Sequence, residues 1–372
     1  MAGIYFHIPF CKTRCVYCDF FSATEVEDNT IDEYVGAICK ELCERKEYLQ
    51  GHSVETVYFG GGTPSLLSAG NFEKIFRTLA ETGINCTASQ EITLEANPDD
   101  ITPEYLDSLK NLPFNRISLG VQSLNDEELR FLRRRHDAQS AIRAIRLCQE
   151  KGFENISIDL MYGLPNQTMK SWESAIRQTI ALNVQHVSAY HLIYEENTPL
   201  FDLLQQGKIK AMDEELSVAL FEVLIDQLTE AGFEHYEISN FAQPGYSSRH
   251  NSAYWNGTPY LGIGASAHSY NGVSRQWNKR VRGADYRALG VEMEMLDENA
   301  IFNDFIITRL RTSKGIDFEE LQNLFGEEKK AYCLQQAKKF LSNQCLELAN
   351  NHLRLTRKGI FLSDGIMAEL LL

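Results

Sequence analysis

Hydrophobic and polar positions along this chain change rhythm at regular intervals. Short runs of β-branched and aromatic residues stand at 4–8, 54–59, 91–95, 116–121, 156–161 and 186–192. Each is followed by a stretch whose apolar residues recur three and four apart, which predicts a strand and then a helix, six times over. The helices are expected at 32–49, 69–82, 103–110, 126–133, 140–151 and 171–182, several opened by a Ser, Asp or Pro start signal. Strands separated by crossover helices run parallel, so the pattern predicts an α/β fold, closed as a barrel or open and doubly wound. In either arrangement ligand groups gather at the C-terminal ends of the strands, where the loops vary while the core does not.

The rhythm then shifts. After a long amphipathic helix expected over 213–231, the segment 239–270 is rich in Gly, Asn, Ser and aromatic residues and reads as an ordered loop region, long enough to suggest a function. From 298 onward, helices are expected at 300–311, 318–324 and 328–341, then short strands at 346–348 and 352–355 about a turn at Asn350-Asn351. Three helices and a hairpin make a winged-helix-like unit. Three domains are therefore expected: a core over 1–236, a loop-rich connection over 237–297 and a small α+β domain over 298–372.

Composition narrows what the chain does. With 44% hydrophobic residues in 372, a large core is expected rather than disorder. Acidic residues outnumber basic ones, 51 to 36, and the net charge of −15 opposes broad attraction to nucleic acid or anionic lipid. From Ala300 on, 10 Lys and Arg face 9 Asp and Glu, which is no basic stripe, so nucleic-acid binding by the winged-helix-like unit is the weakest reading. The start Met1-Ala2-Gly3-Ile4-Tyr5 lacks a cationic export signal, and no apolar run is long enough to span a bilayer. Nine cysteines without such a signal fit a reducing cytoplasm, where thiols stay free.

Three of those cysteines form a triplet, Cys11-Lys12-Thr13-Arg14-Cys15-Val16-Tyr17-Cys18, directly after the first expected strand. Three thiolates suit three irons of a cubane cluster and leave the fourth iron open. Zinc completed by Asp19 or His7, or buried free cysteines, are the alternatives. Gly60-Gly61-Gly62-Thr63-Pro64 after the second strand lets backbone approach a ligand closely, or is only a turn. Glu95, Gln122 and Asp159 lie at or near the ends of the next three strands, and each by itself also suits a cap or an ion pair.

The CxxxCxxC spacing, with Tyr17 before the last cysteine, resembles the signature of the radical S-adenosylmethionine (SAM) superfamily. That resemblance implies a 4Fe-4S cluster on Cys11, Cys15 and Cys18 and SAM chelating the open iron, with cleavage to methionine and a 5'-deoxyadenosyl radical. Tyr5, Gly61, Gly62, Thr63, Glu95, Gln122, Arg134 and Asp159 match SAM-contacting positions of the anaerobic coproporphyrinogen III oxidase group, which the chain is similar to over almost its whole length. The implied architecture is a partial (β/α)6 barrel with the small winged-helix-like domain appended.

Two branches of that group differ in chemistry, decarboxylation of porphyrinogen propionates against the carriage of heme. The oxidase motif continues CxxxCxxCxC, whereas here Cys18-Asp19 is followed by Phe20. The oxidase also carries an extension ahead of its cysteines, and this chain reaches Cys11 almost at once. Arg249-His250-Asn251-Ser252-Ala253-Tyr254-Trp255 resembles the HNxxYW motif of the heme chaperone subfamily, with Ser239-Asn240-Phe241-Ala242 fitting upstream. The resemblance implies heme on His250, an apolar macrocycle against Tyr254 and Trp255, and a basic side chain such as Arg249 on a propionate. Without it, His250 reads as an ordinary surface histidine. His268 is shared across the group and suits either the ligand face or the core.

The expected function is thus a heme chaperone on a radical SAM scaffold, serving porphyrin metabolism. It binds heme, a 4Fe-4S cluster and SAM, and passes heme to heme-dependent, respiratory acceptor proteins. The expected location is the cytoplasm, with peripheral membrane contact through a client, and the sequence is compatible with a homodimer. A radical SAM oxidase acting on coproporphyrinogen is the alternative.

Overall fold

The computed structural model describes residues 1–24, 28–281, 285–287 and 290–372. Strands β1 (Ala2–Ile8), β2 (Val54–Gly61), β3 (Glu91–Ala96), β4 (Arg116–Gln122), β5 (Ile156–Tyr162) and β6 (His186–His191) lie side by side in that order, all parallel. Between them run α1 (Asp28–Arg45), α2 (Ala69–Glu81), α3 (Pro103–Leu109), α4 (Asp126–Phe131), α5 (Ala138–Glu150) and α6 (Met169–Ala181). Local chemistry sets several starts. The Ser68 side chain accepts from the amide of Asn71 at the head of α2, Asp137 does the same for Ser140 at α5, and Thr168 for Ser171 at α6. Each such cap contributes about 1 kcal/mol. Helices α7 (Pro199–Gln205) and α8 (Glu214–Glu230) follow, and α8 packs on α6 where the Trp172 indole donates to the Leu220 carbonyl over 2.9 Å.

The segment expected as loop is regular instead. It contains β8 (Asn240–Ala242), α9 (Arg249–Trp255), β9 (Tyr260–Ile263) and β10 (His268–Tyr270), preceded by β7 (Glu234–Glu237) and followed by β11 (Ser274–Asn278) and β12 (Val291–Met295). Strand β9 pairs in parallel with β1, and β8 pairs antiparallel with β6, so the sheet runs β12-β11-β10-β9-β1-β2-β3-β4-β5-β6-β8-β7. Strands of three or four residues carry too little alternation to be legible, and their partners lie far away in the chain. Tertiary pairing supplies what local sequence lacks.

Two apolar clusters cover the outside of the sheet. One joins β1, β2 and β3 to α1 and α2, the other joins β4, β5 and β6 to α5, α6 and α8. The concave interior is polar, with Thr56, Thr93, Arg116, Ser157, His186 and His250 all buried. A separate apolar cluster holds the C-terminal unit, made of α10 (Glu298–Leu310), β13 (Ile316–Asp317), α11 (Phe318–Ser342), β14 (Leu346–Ala349), β15 (His352–Leu355), α12 (Arg357–Ile360) and α13 (Ser363–Leu370). Gly326 breaks α11 with φ 83°, and the strands order β13-β15-β14, with β14 and β15 forming the expected hairpin and β13, α12 and α13 added to it. Among the described residues no helix is long and apolar enough to cross a membrane.

Candidate functional site

A single cavity of about 1360 Å³ opens at the C-terminal ends of the parallel strands. Cys11, Cys15 and Cys18 line it on the loop after β1. That loop is pinned from below. Asp100, buried after β3, accepts from Lys12 Nζ at 2.8 Å, from Arg135 Nη2 at 3.2 Å and from Ser65 Oγ at 2.8 Å. One carboxylate therefore ties the cysteine loop, the loop after β2 and the segment bearing Arg134 into one frame. Sequence reading passed over Asp100, because an Asp-Asp pair after a proline looks like ordinary helix-start chemistry.

The sulfurs meet donors. Arg134 Nη1 donates to Cys15 Sγ over 3.3 Å while Nη2 holds the Gly120 carbonyl at 2.6 Å, and Thr63 Oγ1 donates to Cys11 Sγ over 3.5 Å. Arg14 clamps the Cys18 carbonyl through Nε and Nη2, at 3.2 and 3.0 Å. Burial raises the Cys11 thiol and pushes Cys18 to about 11, so both are protonated until a metal displaces the proton. Among the described residues the buried Nε of Arg134 has no partner. Soft thiols with hydrogen-bond donors aimed at two of them fit an iron–sulfur cluster. The zinc alternative needs Asp19 or His7 as a fourth ligand beside the cysteines. Both nitrogens of His7 are engaged, Nδ1 with Tyr5 Oη at 3.1 Å and Nε2 with the Phe21 carbonyl at 3.1 Å.

The expected SAM-contacting residues, Tyr5, Gly61, Gly62, Thr63, Glu95, Gln122, Arg134 and Asp159, all line this cavity. Glu95 accepts from Tyr58 Oη at 2.7 Å and from the Gly61 amide at 3.1 Å. Burial pushes its carboxyl up to about 7, and Asp159 adds to the rise; burial likewise lifts Asp159 to about 6. Two deeply set carboxyls whose pKa values approach neutrality suit a cationic ligand, which would restore their ionised form. Gly61 has φ 106°, and a Cβ on Gly62 would stand 2.7 Å from the Phe10 carbonyl oxygen and 2.8 Å from that of Ile8. Backbone thus approaches backbone where a side chain would not fit. Gln122, at φ 69°, resumes the ladder opposite Leu160 after a register shift between β4 and β5.

Sequence reading also missed Arg116. It is 1% exposed, opens β4 and brings a positive charge near Glu95, Asp159 and His250 inside the sheet. The available signal was a lone arginine heading an apolar strand.

His250 differs from its expectation. It sits in α9 rather than in a surface loop, is 2% exposed, and does not line the cavity. Its Nδ1 meets Thr56 Oγ1 at 2.7 Å, its Nε2 meets Tyr254 Oη at 2.9 Å, and its ring stacks on Tyr58 with centroids 4.9 Å apart. Arg249 also departs from its expected place on a propionate. It reaches the Ser89 carbonyl at 2.7 Å and Glu55 at 3.1 Å, away from the cavity lining. Glu91 explains both placements by accepting the backbone amides of Arg249 and His250, each at 2.9 Å, which seats the start of α9 against β3. Tyr254 and Trp255, at the other end of α9, do line the cavity. There Arg311 lies 4.8 Å over the Trp255 ring, and Phe305 and Phe325 of the C-terminal unit extend the wall.

Comparison with known proteins follows the same lines. A family model described as the radical SAM superfamily matches residues 5–179, and one described as the HemN C-terminal domain matches residues 296–362. The heme chaperone HemW of Lactococcus lactis is 31% identical over 382 residues, covering 99% of this chain and 97% of that protein. That of Bacillus subtilis is 37% identical, covering 75% and 73%. Among solved structures, coproporphyrinogen III oxidase from Escherichia coli superposes with a TM-score of 0.84 at 24% identity, over 99% of this chain and 89% of that one.

Proposed function

This chain belongs to the heme chaperone HemW family of radical SAM proteins, and on that premise we propose that it accepts heme and passes it to heme-dependent acceptors. The observation that carries the reading is one cavity of about 1360 Å³ running from the three cysteines to Tyr254 and Trp255 and on to the C-terminal unit. A pocket for one small ligand commonly holds about 300–1,000 Å³. Here there is room for SAM beside the cysteines and a porphyrin-sized apolar ligand beyond it. Phe20, which stands where the oxidase motif carries another cysteine, is 65% exposed on the cavity lining, as is Ile193 at 62%. An exposed apolar lip suits an apolar cargo that enters and leaves.

In this reading Cys11, Cys15 and Cys18 hold the 4Fe-4S cluster, and Tyr5, Gly61, Gly62, Thr63, Glu95, Gln122, Arg134 and Asp159 hold SAM. The cluster, when bound, supplies one-electron chemistry and an open iron. The chain's own residues do the rest. Arg134 and Thr63 stabilise thiolate charge, Glu95 and Asp159 compensate a cation, and the Gly61–Gly62 backbone admits the ligand. His250 anchors α9 through Thr56 on Nδ1 and Tyr254 on Nε2. The acceptors we assign are respiratory heme proteins met in the cytoplasm or at the membrane face through the client, with a homodimer as the working assembly. A reducing compartment suits thiols that must stay free for iron.

Anaerobic titration of the reconstituted protein with hemin tests the proposal. A saturable Soret band, followed by its transfer to an apo-acceptor, is expected. Absence of heme binding, or turnover of coproporphyrinogen with SAM and dithionite, would overturn it in favour of the oxidase reading.

A further inference from the structure

We infer that His268, on the cavity wall built by β10 and β11, is the side chain that coordinates the iron of bound heme. The inference rests on the heme-carrying reading above and goes beyond it by naming the ligand. Three histidines face the cavity: His7, His191 and His268. They differ in what their ring nitrogens already do. Both nitrogens of His7 are hydrogen-bonded, to Tyr5 and to the Phe21 carbonyl, and His191 Nε2 is 2.7 Å from Ser217 Oγ. His268 has no hydrogen bond on either nitrogen among the described residues. His250, with both nitrogens occupied and no place on the lining, is not available in this arrangement.

Coordination needs a neutral imidazole with a free lone pair. Partial burial, with Arg280 and Arg275 nearby, lowers the His268 pKa, so the ring is neutral at pH 7. Its plane is fixed. His268 pairs across the ladder with Trp277, and the two rings stack at 6.1 Å and 23°. The same part of the cavity presents Tyr254, Trp255, Tyr260 and Tyr270, an aromatic surface suited to a macrocycle. Two guanidiniums stand ready for two carboxylates. Arg275 is tied to Asp304 and Glu294, whereas Arg280 makes no ion pair among the described residues and is the stronger propionate partner. A hemin anion therefore meets iron ligand, apolar wall and counter-charge on one surface.

The test uses the full chain, titrated anaerobically with hemin and read by absorption and ferric EPR. In His268→Ala the affinity should fall at least tenfold and the histidine-ligated spectrum should disappear, and added imidazole should restore that spectrum. His268→Met should keep binding but shift the Soret and charge-transfer bands to a thioether pattern. Unchanged circular dichroism and SAM affinity check that both variants fold. If wild-type protein binds heme and both variants give its spectrum and affinity, His268 is not the ligand. If wild-type protein binds no heme, the heme-carrying reading itself fails, a separate result.

Discussion

His250 Nε2 and Tyr254 Oη are joined by a hydrogen bond of 2.9 Å, and with Thr56 on Nδ1 the imidazole is closed on both sides inside the sheet. Burial first, and then the charge of Arg116, pull its pKa down to about 3. The unfolded chain protonates His250 at its ordinary value of 6.5, so between pH 6.5 and about 3 the unfolded state binds a proton that the folded state refuses. Stability is full above that window and falls as pH drops through it.

His250→Gln should reduce this acid dependence by up to one proton, about 1.4 kcal/mol per pH unit. Urea unfolding at pH 7, 5.5 and 4.5 measures it. His136, held down to about 4 mainly by burial, keeps a residual slope in the variant. Equal slopes in the two proteins would show that the His250 ring is not sealed.

SAM affinity should rise with pH. Glu95 and Asp159 carry raised values of about 7 and about 6, and a cationic ligand needs them ionised. Binding below those values must expel protons, so the dissociation constant should tighten up to about tenfold per pH unit between about pH 6 and 7, more steeply below where both groups titrate, and then level. Glu95→Gln should flatten the upper part of the curve. Calorimetry from pH 5.5 to 7.5 decides, and a flat wild-type profile would refute the assignment.

Arg134 should not tolerate lysine. Its fork reaches Cys15 Sγ and the Gly120 carbonyl at once, which a single ammonium cannot do. Arg134→Lys should lower unfolding free energy by about 1.5–3 kcal/mol, the worth of a charged hydrogen bond. It should also speed loss of iron from reconstituted protein in air. Chemical denaturation and timed iron release measure the two effects, and wild-type values in both would remove Arg134 from the cluster wall.

Gly62→Ala should disturb the cysteine loop without touching any cysteine. The added methyl meets the backbone of Ile8 and Phe10, which cannot swing aside as a side chain would. A loss of about 1–3 kcal/mol is expected, with less iron retained after reconstitution. Gly83→Ala is the control, because a Cβ there meets nothing within 4 Å although φ is 87°. If the two variants lose iron equally, crowding at Gly62 is not the cause.

Much of this molecule was legible in its sequence, because the features concerned are local or periodic. Six strand-helix alternations, the cysteine triplet, the Gly61–Gly62 turn and the strand-end residues Glu95, Gln122 and Asp159 each leave a mark within a few residues. Parallel crossover geometry then brings strand ends together without further information. Nothing local reveals that Asp100 ties Lys12 to Arg135, since those residues meet only after the strands have paired. The short strands β8 and β9 escaped for the same reason. His250 shows the limit most plainly, as its motif was visible but its burial was set by Thr56 and Glu91 arriving from two distant strands, with Tyr254 of the same motif closing the other side. The sequence by itself determined the repeat, the spacing of the cysteines and the family. Only the tertiary structure decided which imidazole faces the cavity and which is sealed away, because burial depends on contacts between segments and no residue carries it alone.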